Sequence, residues 1–247
     1  MQRVTIITGA SSGIGEATAR ELAREGYALV LAARSATAIE RLAGELARAG
    51  APALPVPTDV SQPAQLRRLV ELTLERFGRV DALVNNAGVG ETRESAAGCG
   101  GVADLTLHTN LLAPIALSRV VLPTMLAQRS GHIVNIGSVA GHIGLPHNSS
   151  YSASKHGLRG FSASMRRQLL GTGVHVSLIS PGFIRTAMTE GNPLPMPGPA
   201  LIGRAVARVL RRPRREVVVP GIYRAVIRLN DALPGLVDLA LRVMRRK

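Results

Sequence analysis

The chain has 247 residues, 46% of them apolar and 19% charged, enough to bury a sizeable core, which excludes a largely disordered polypeptide. Aromatic residues make up 2%, which argues against base-stacking nucleic-acid modules, and a single cysteine, Cys99, excludes an internal disulfide framework and fits a reducing cytoplasm. The net charge of +14 is uneven: residues 204–247 hold 12 basic and 3 acidic side chains (+9), whereas residues 1–203 hold 18 and 13 (+5).

In chain order, RVTIIT (3–8), ALVLAA (28–33), PALPV (52–56), DALVNN (81–86), GHIVNIGS (131–138), VHVSLIS (174–180) and EVVVP (216–220) are β-branched or apolar runs that predict seven strands. Between them, EATARELAREG, ATAIERLAGELARAG and PAQLRRLVELTLERFG repeat apolar residues at three- and four-residue spacing, the pattern of amphipathic helices. Gly26, Gly50, Gly78 and Gly173 stand where such helices should stop. Strands alternating with helices imply right-handed crossovers and one doubly wound α/β domain, its parallel sheet covered on both faces. The first strand follows the N-terminus without a signal-peptide apolar region, and no apolar run reaches about 18 residues, so no spanning helix is expected. The stretch GNPLPMPGPA (191–200) reads as a loop.

TGASSGIG (Thr8–Gly15) joins the first strand to the first helix. Gly9 permits a tight turn, and Gly13 and Gly15 allow a dinucleotide close to the backbone, with helix N-terminal amides facing its pyrophosphate. An acidic residue at the end of the second strand would accept hydrogen bonds from an NAD ribose. This chain has Arg34 there, nineteen residues after Gly15, and a guanidinium suits the 2′-phosphate of NADP. Ala10, Ser11 and Ser12 add no second basic group, so NAD stands as the second cofactor.

Of 30 basic residues two are lysines, and one of them, Lys155, follows Tyr151 by four positions in YSASK. On a helix this spacing puts both on one face. A phenol titrates near 10, and a neighbouring ammonium favours its ionised form, moving it toward use as a general acid and base at neutral pH.

Taken jointly, the glycine pattern at Thr8–Gly15, NNAG at 85–88, Asn110, Ser138, YSASK at 151–155 and PGFIRT at 181–186 resemble the short-chain dehydrogenases/reductases of about 250 residues. The likeness spans residue 3 to about residue 220 and includes thirteen positions from Ser138 to Tyr151. It implies a Rossmann-type sheet of order 3-2-1-4-5-6-7 and reversible conversion of a carbonyl to an alcohol, with NADP(H) preferred on the strength of Arg34. By the same resemblance Tyr151 exchanges a proton with the substrate oxygen, Ser138 hydrogen-bonds that oxygen, and Lys155 binds the nicotinamide ribose. Asn110 holds a relay water through its main-chain carbonyl. Gly9, Ser11, Ser12, Gly13, Ile14 and Gly15 cradle the phosphates, Asp59 and Val60 meet the adenine, and Asn86, Ala87 and Gly88 line the cofactor. Pro181, Gly182, Ile184 and Thr186 hold the nicotinamide. The family also implies a homodimer or homotetramer. A catalytically silent dinucleotide-binding regulator or scaffold is the alternative, and the intact Ser138–Tyr151–Lys155 set speaks against it. The six histidines show no metal-ligand spacing, and His142, His147 and His156, which flank the set, are assigned no catalysis.

Two regions depart from the pattern. Residues 89–101 are glycine-rich and lack large apolar side chains. The end is longer: beyond a dinucleotide-binding and catalytic domain at 1–221, residues 222–247 predict a basic amphipathic tail of two short helices divided at Pro234–Gly235, packed on or extending the domain. It can cover the substrate pocket or a subunit interface, or rest peripherally on anionic lipid; nucleic-acid binding is not expected without aromatic partners. The substrate pocket, shaped by residues 187–203 and the tail, leans toward an apolar or lipid-like carbonyl.

Overall fold

The structure is a computed structural model and describes residues 2–90, 101–146, 148–191 and 195–244, with backbone alone at 101, 102 and 240–244. Cys99, His147 and most of the glycine-rich run at 89–101 lie outside the described residues, as does part of the 191–200 loop. Strands β1 (Val4–Thr8), β2 (Ala28–Ala33), β3 (Ala53–Pro57), β4 (Ala82–Asn85), β5 (Gly131–Ile136), β6 (Val174–Pro181) and β7 (Glu216–Val219) form one sheet in the order β3-β2-β1-β4-β5-β6-β7. Every pairing is parallel. All seven expected strands are present, displaced by at most two residues at any end.

Helices α1 (Gly13–Arg24), α2 (Ala36–Arg48) and α7 (Ala200–Arg211) share one apolar layer with the sheet. There Ile7, Leu29 and Leu31 meet Leu22, Ile39 and Val206. Helices α3 (Pro63–Phe77), α5 (Ala113–Ala127) and α6 (Ser149–Gln168) share the opposite layer, where Ile6, Val30 and Ile133 meet Leu69, Val121 and Met165. The two-residue alternation of strand side chains divides the layers. Both faces are covered, so β1, β2, β4 and β5 are buried along their whole length and read as continuous apolar runs. At Gly203 a Cβ would lie 2.8 Å from the Ala17 carbonyl oxygen, and its absence lets α7 close on α1.

Gly78 ends α3 with φ of 70°, as its place in the sequence suggests. The expected stop at Gly173 falls earlier: α6 ends at Gln168, and the turn into β6 uses both Gly171 and Gly173 at positive φ. Helix α4 (Gly101–Leu107) runs through a π-helical turn (His108–Leu112) into α5. Among the described residues, Ala103–Ala127 is the one helical stretch long and apolar enough to cross a membrane by length and composition. Here it packs beside α3 and α6, with Asn110, Leu117, Ser118, Val121 and Met125 buried.

The tail forms α8 (Tyr223–Ala232) and α9 (Pro234–Met244), divided at Leu233, just before the expected break. Ile227 and Val237 turn inward and pack with Val139, Ile143 and Val218, and Tyr223 joins them. Ile222, Val226, Leu229, Leu233, Leu236 and Leu239 stay exposed.

Candidate active site

The parallel strands end on one side of the sheet, and the segments that follow β1, β2, β3, β4, β5 and β6 carry the residues singled out in the sequence. In an open parallel sheet this is the edge where ligands bind. After β1, Gly9 turns at φ of 66°, and a Cβ there would lie 2.9 Å from the Ala87 Cα. At Gly15 a Cβ would lie 2.1 Å from the Gly9 carbonyl oxygen. Ser12 is the N-cap of α1, yet its side chain makes no capping hydrogen bond. The first amides of α1 are thus left to an incoming anion, the requirement of a pyrophosphate site. Gly13 opens α1 beneath Thr186, whose Cγ2 is 3.4 Å from the position of an added Cβ, and Ile14 packs on the core below. Arg34 follows the last residue of β2 and is exposed. Hydrogen bonds from the Ser61 hydroxyl and amide hold the Asp59 carboxyl below its usual range; burial opposes them and the Arg34 charge assists. Val60 and Ala87 line a hollow with Thr8. These features fit a dinucleotide: the glycines let the turn close tightly on Ala87 and on itself, and the uncapped helix start leaves its first amides to the phosphates.

Thr8, marked in the sequence only as the start of the glycine pattern, holds this cradle. Its Oγ1 accepts from the amides of Asn86 and Ala87, each at 3.0 Å, and the Asn86 side chain donates back to the Thr8 carbonyl at 2.8 Å. Asn85 instead points toward α5, donating to Asn135 Oδ1 at 2.8 Å and Ser118 Oγ at 3.1 Å. The contacts span dozens of residues, so spacing along the chain could not reveal them.

Ser138 N-caps the 3-10 turn Val139–Gly141 after β5, its Oγ accepting from the Ala140 amide at 3.1 Å. Tyr151 and Lys155 come from the first half of α6, as their spacing predicts. Lys155 is buried, donates to the Ile136 carbonyl at 3.0 Å, and places Nζ 5.6 Å from the centre of the Tyr151 ring. Burial pushes the Tyr151 phenol above its ordinary value, and a hydrogen bond with the Ser138 side chain pulls it back. Desolvation sets the direction, so the lowering expected from Lys155 is not what the structure gives: the phenol is raised. Burial also lowers Lys155 to about 8.

Asn110 is buried at the middle of the π-turn, a feature that concentrates at functional sites. Its side chain brackets Val89, accepting from the Val89 amide and donating to its carbonyl at 2.9 Å each, and also donates to Ser154 Oγ at 3.3 Å. It thereby fastens the strand-end loop with Gly88 to α6: a Cβ on Gly88 would lie 3.2 Å from Asn110 Oδ1. Pro114, four residues on, has no N–H to offer the Asn110 carbonyl, which a regular helix would supply.

Pro181 and Ile184 are buried, and Thr186 caps the 3-10 turn Ala187–Thr189. Tyr223 is a wall residue that no motif in the sequence marks. Its ring lies flush on Gly182, where an added Cβ would be 2.0 Å from Cε2, and its hydroxyl accepts from the Phe183 amide at 3.4 Å. The tail is thus part of the wall that shapes the 181–186 loop. His156 is exposed and bonds to the Ser152 carbonyl of its own helix.

The chain matches the short chain dehydrogenase family over residues 3–194. It is 36% identical to the ketoacyl reductase HetN of Nostoc sp. over 224 residues, covering 88% of this chain and 78% of that protein. It is also 36% identical to an uncharacterized oxidoreductase of Myxococcus xanthus over 252 residues, covering 98% of each. Among solved structures, a Burkholderia phymatum short chain dehydrogenase/reductase in complex with NAD superposes with TM-score 0.85 at 30% identity, covering 95% of both chains. A single-substitution variant of the actinorhodin polyketide ketoreductase, solved with NADPH, gives TM-score 0.81 at 30% identity, covering 89% of this chain and 96% of that one. The chain belongs to the short-chain dehydrogenase/reductase family. It is a nicotinamide-dinucleotide oxidoreductase acting on CH–OH groups, built on a Rossmann-type sheet.

Proposed function

We propose that this chain interconverts an apolar carbonyl compound and its alcohol, prefers NADP(H), and uses Tyr151 as general acid and base. The observation that carries the reading is the meeting of Ser138, Tyr151 and Lys155 on the side of the sheet where the strands end and where the glycine cradle also lies. The phosphates would lie on Gly9, Ser11, Ser12, Gly13, Ile14 and Gly15, and the adenosine on Asp59 and Val60. Asn86, Ala87 and Gly88 line the middle of the cofactor, and Pro181, Gly182, Ile184 and Thr186 hold its nicotinamide end. When bound, the nicotinamide supplies hydride in reduction and accepts it in oxidation. Ser138 donates to the substrate oxygen, orienting it toward the Tyr151 phenol, which gives up its proton during reduction and takes one during oxidation. Burial keeps that phenol protonated at neutral pH, ready for reduction. Lys155 binds the ribose and carries its charge beside the ring. Asn110 offers its main-chain carbonyl to the water that returns the proton, and the missing N–H of Pro114 supports that role.

Exposed Phe183 and Met188 beside Gly182 and Gly90 support an apolar substrate, and the ketoacyl reductases among its relatives suggest a ketoacyl group. A screen of carbonyl compounds with NADPH and NADH tests the reading. Arg34→Glu is expected to lower kcat/KM with NADPH about 10- to 100-fold relative to NADH, the worth of a charged hydrogen bond. An unchanged cofactor ratio would remove Arg34 from the site.

Exposed Leu105, Leu112 and Leu126 on the 103–127 helix support a homodimer or homotetramer. The exposed apolar face of α8 and α9 is flanked by Arg224 and Arg228, within residues 222–247, which hold 6 basic and 2 acidic side chains (+4). That charge would repel a second copy and attract anionic lipid, so we assign this face to peripheral contact of a cytoplasmic enzyme with an anionic membrane surface. In flotation the protein is expected to rise with phosphatidylglycerol vesicles at low salt and to remain below with phosphatidylcholine vesicles. Failure to float with either vesicle would remove the lipid contact.

A further inference from the structure

Glu216 opens β7, and side chains from three other segments converge on its carboxylate. Oε1 accepts from Ser180 Oγ at 2.8 Å and lies 2.6 Å from His142 Nε2, while Oε2 lies 3.5 Å from Arg159 Nε on α6. An ionised carboxylate can only accept, so His142 carries a proton on Nε2. Burial pushes the Glu216 carboxyl upward, but the hydrogen bonds from His142 and Ser180 outweigh it and keep the group ionised at neutral pH.

The partners of Glu216 occupy informative places. His142, its side chain 6% exposed, directly follows the Val139–Gly141 turn that Ser138 caps, and its amide bonds back to the Val139 carbonyl. Ser180 directly precedes Pro181 and Gly182. On its other side the same turn is held by α6. The Leu145 amide donates to Ser152 Oγ at 3.2 Å, and Gly141 lies so close that a Cβ would be 2.7 Å from the Lys155 carbonyl oxygen. The serine turn is thus gripped by α6 on one side and β7 on the other. The oxygen that grips it from β7 also grips the start of the 181–186 loop.

We infer that Glu216 is a positioning residue that fixes the Ser138 turn relative to the Pro181–Gly182 loop, acting through His142 and Ser180. The inference rests on the reading of those two segments as the substrate-oxygen and nicotinamide walls. Misplacing a reacting group by about 1 Å can cost up to about 100-fold in rate, and a shared carboxylate oxygen is a short link between two walls.

The test measures kcat, carbonyl KM, NADPH Kd by fluorescence titration and apo Tm for Glu216→Ala, Glu216→Gln, His142→Ala and the double alanine variant. Glu216→Ala is expected to lower kcat about 10- to 100-fold with little change in KM, and to weaken NADPH several-fold. Glu216→Gln keeps an Oε1 that accepts from both partners, so it is expected to stay within about 3-fold of the unmodified enzyme. The double variant should lose no more than the worse single one, as residues acting in one link do. A folded Glu216→Ala that keeps kcat and NADPH affinity would overturn the inference, as would losses that simply add. If Glu216→Ala does not fold, His142→Ala breaks the same link from the other end and is read the same way. If the unmodified chain turns over no carbonyl, the proposed function falls, and NADPH affinity alone decides: a several-fold loss supports the link and an unchanged Kd refutes it.

Discussion

Tyr151→Phe is expected to lower kcat/KM for carbonyl reduction by about 10²- to 10⁴-fold, the usual worth of a positioned general acid. NADPH affinity should stay close to that of the unmodified enzyme, because the substitution removes one hydroxyl and leaves the glycine cradle and the 181–186 loop untouched. The apo Tm should shift by no more than ~2 °C. Ser138 keeps its hydrogen bond from the Ala140 amide, so its turn does not depend on the phenol. Steady-state kinetics, fluorescence titration and thermal unfolding check the three statements together. Loss of NADPH binding would mean that the phenol holds cofactor rather than moving a proton.

The second large effect is at Lys155, where activity and stability are expected to move in opposite directions. Burial lowers its pKa to about 8, so the folded protein disfavours the ammonium that an unfolded chain carries up to about 10.4. For a base with a depressed folded pKa, the destabilisation is absent above the unfolded value and is fully present below the folded one. The apo protein should therefore gain stability from this group as pH rises from about 8 to about 10.4, by on the order of 3 kcal/mol. Lys155→Met removes the buried charge and with it that pH dependence. The lost hydrogen bond to Ile136 offsets about 1 kcal/mol of the gain, so a net increase in apo stability of about 2 kcal/mol at pH 7 is expected. Turnover should fall by at least about 100-fold in the same variant. Denaturant unfolding across this pH range checks the sign. A less stable variant at pH 7 would show that Lys155 is structural cement rather than a charge held at a cost for function.

Much of this was legible in the sequence because it depends on local spacing. The apolar runs locate all seven strands, and TGASSGIG falls between β1 and α1, where a phosphate cradle belongs. The four-residue step from Tyr151 to Lys155 needs only a helix to bring the pair together. What was not legible depends on contacts between distant residues or on burial. Thr8 is tied to Asn86 across 78 positions and Tyr223 to Phe183 across 40. Glu216 reaches His142 across 74 positions, and nothing local marks it as more than the first residue of a strand. The direction of the Tyr151 pKa turned on desolvation, which sequence spacing does not contain. The π-turn at Asn110 had one readable sign, Pro114 four residues later, whose missing N–H disturbs the regular helix.

In the proposed function Ser138, Tyr151 and Lys155 perform proton transfer for an NADPH-linked carbonyl reduction. That role is tested most directly by following NADPH consumption across a panel of ketones, aldehydes and ketoacyl thioesters, with the unmodified enzyme and Tyr151→Phe side by side. Turnover of at least one apolar carbonyl by the unmodified enzyme is expected, faster with NADPH than with NADH, and lost in the variant. Equal turnover by both proteins would contradict that role.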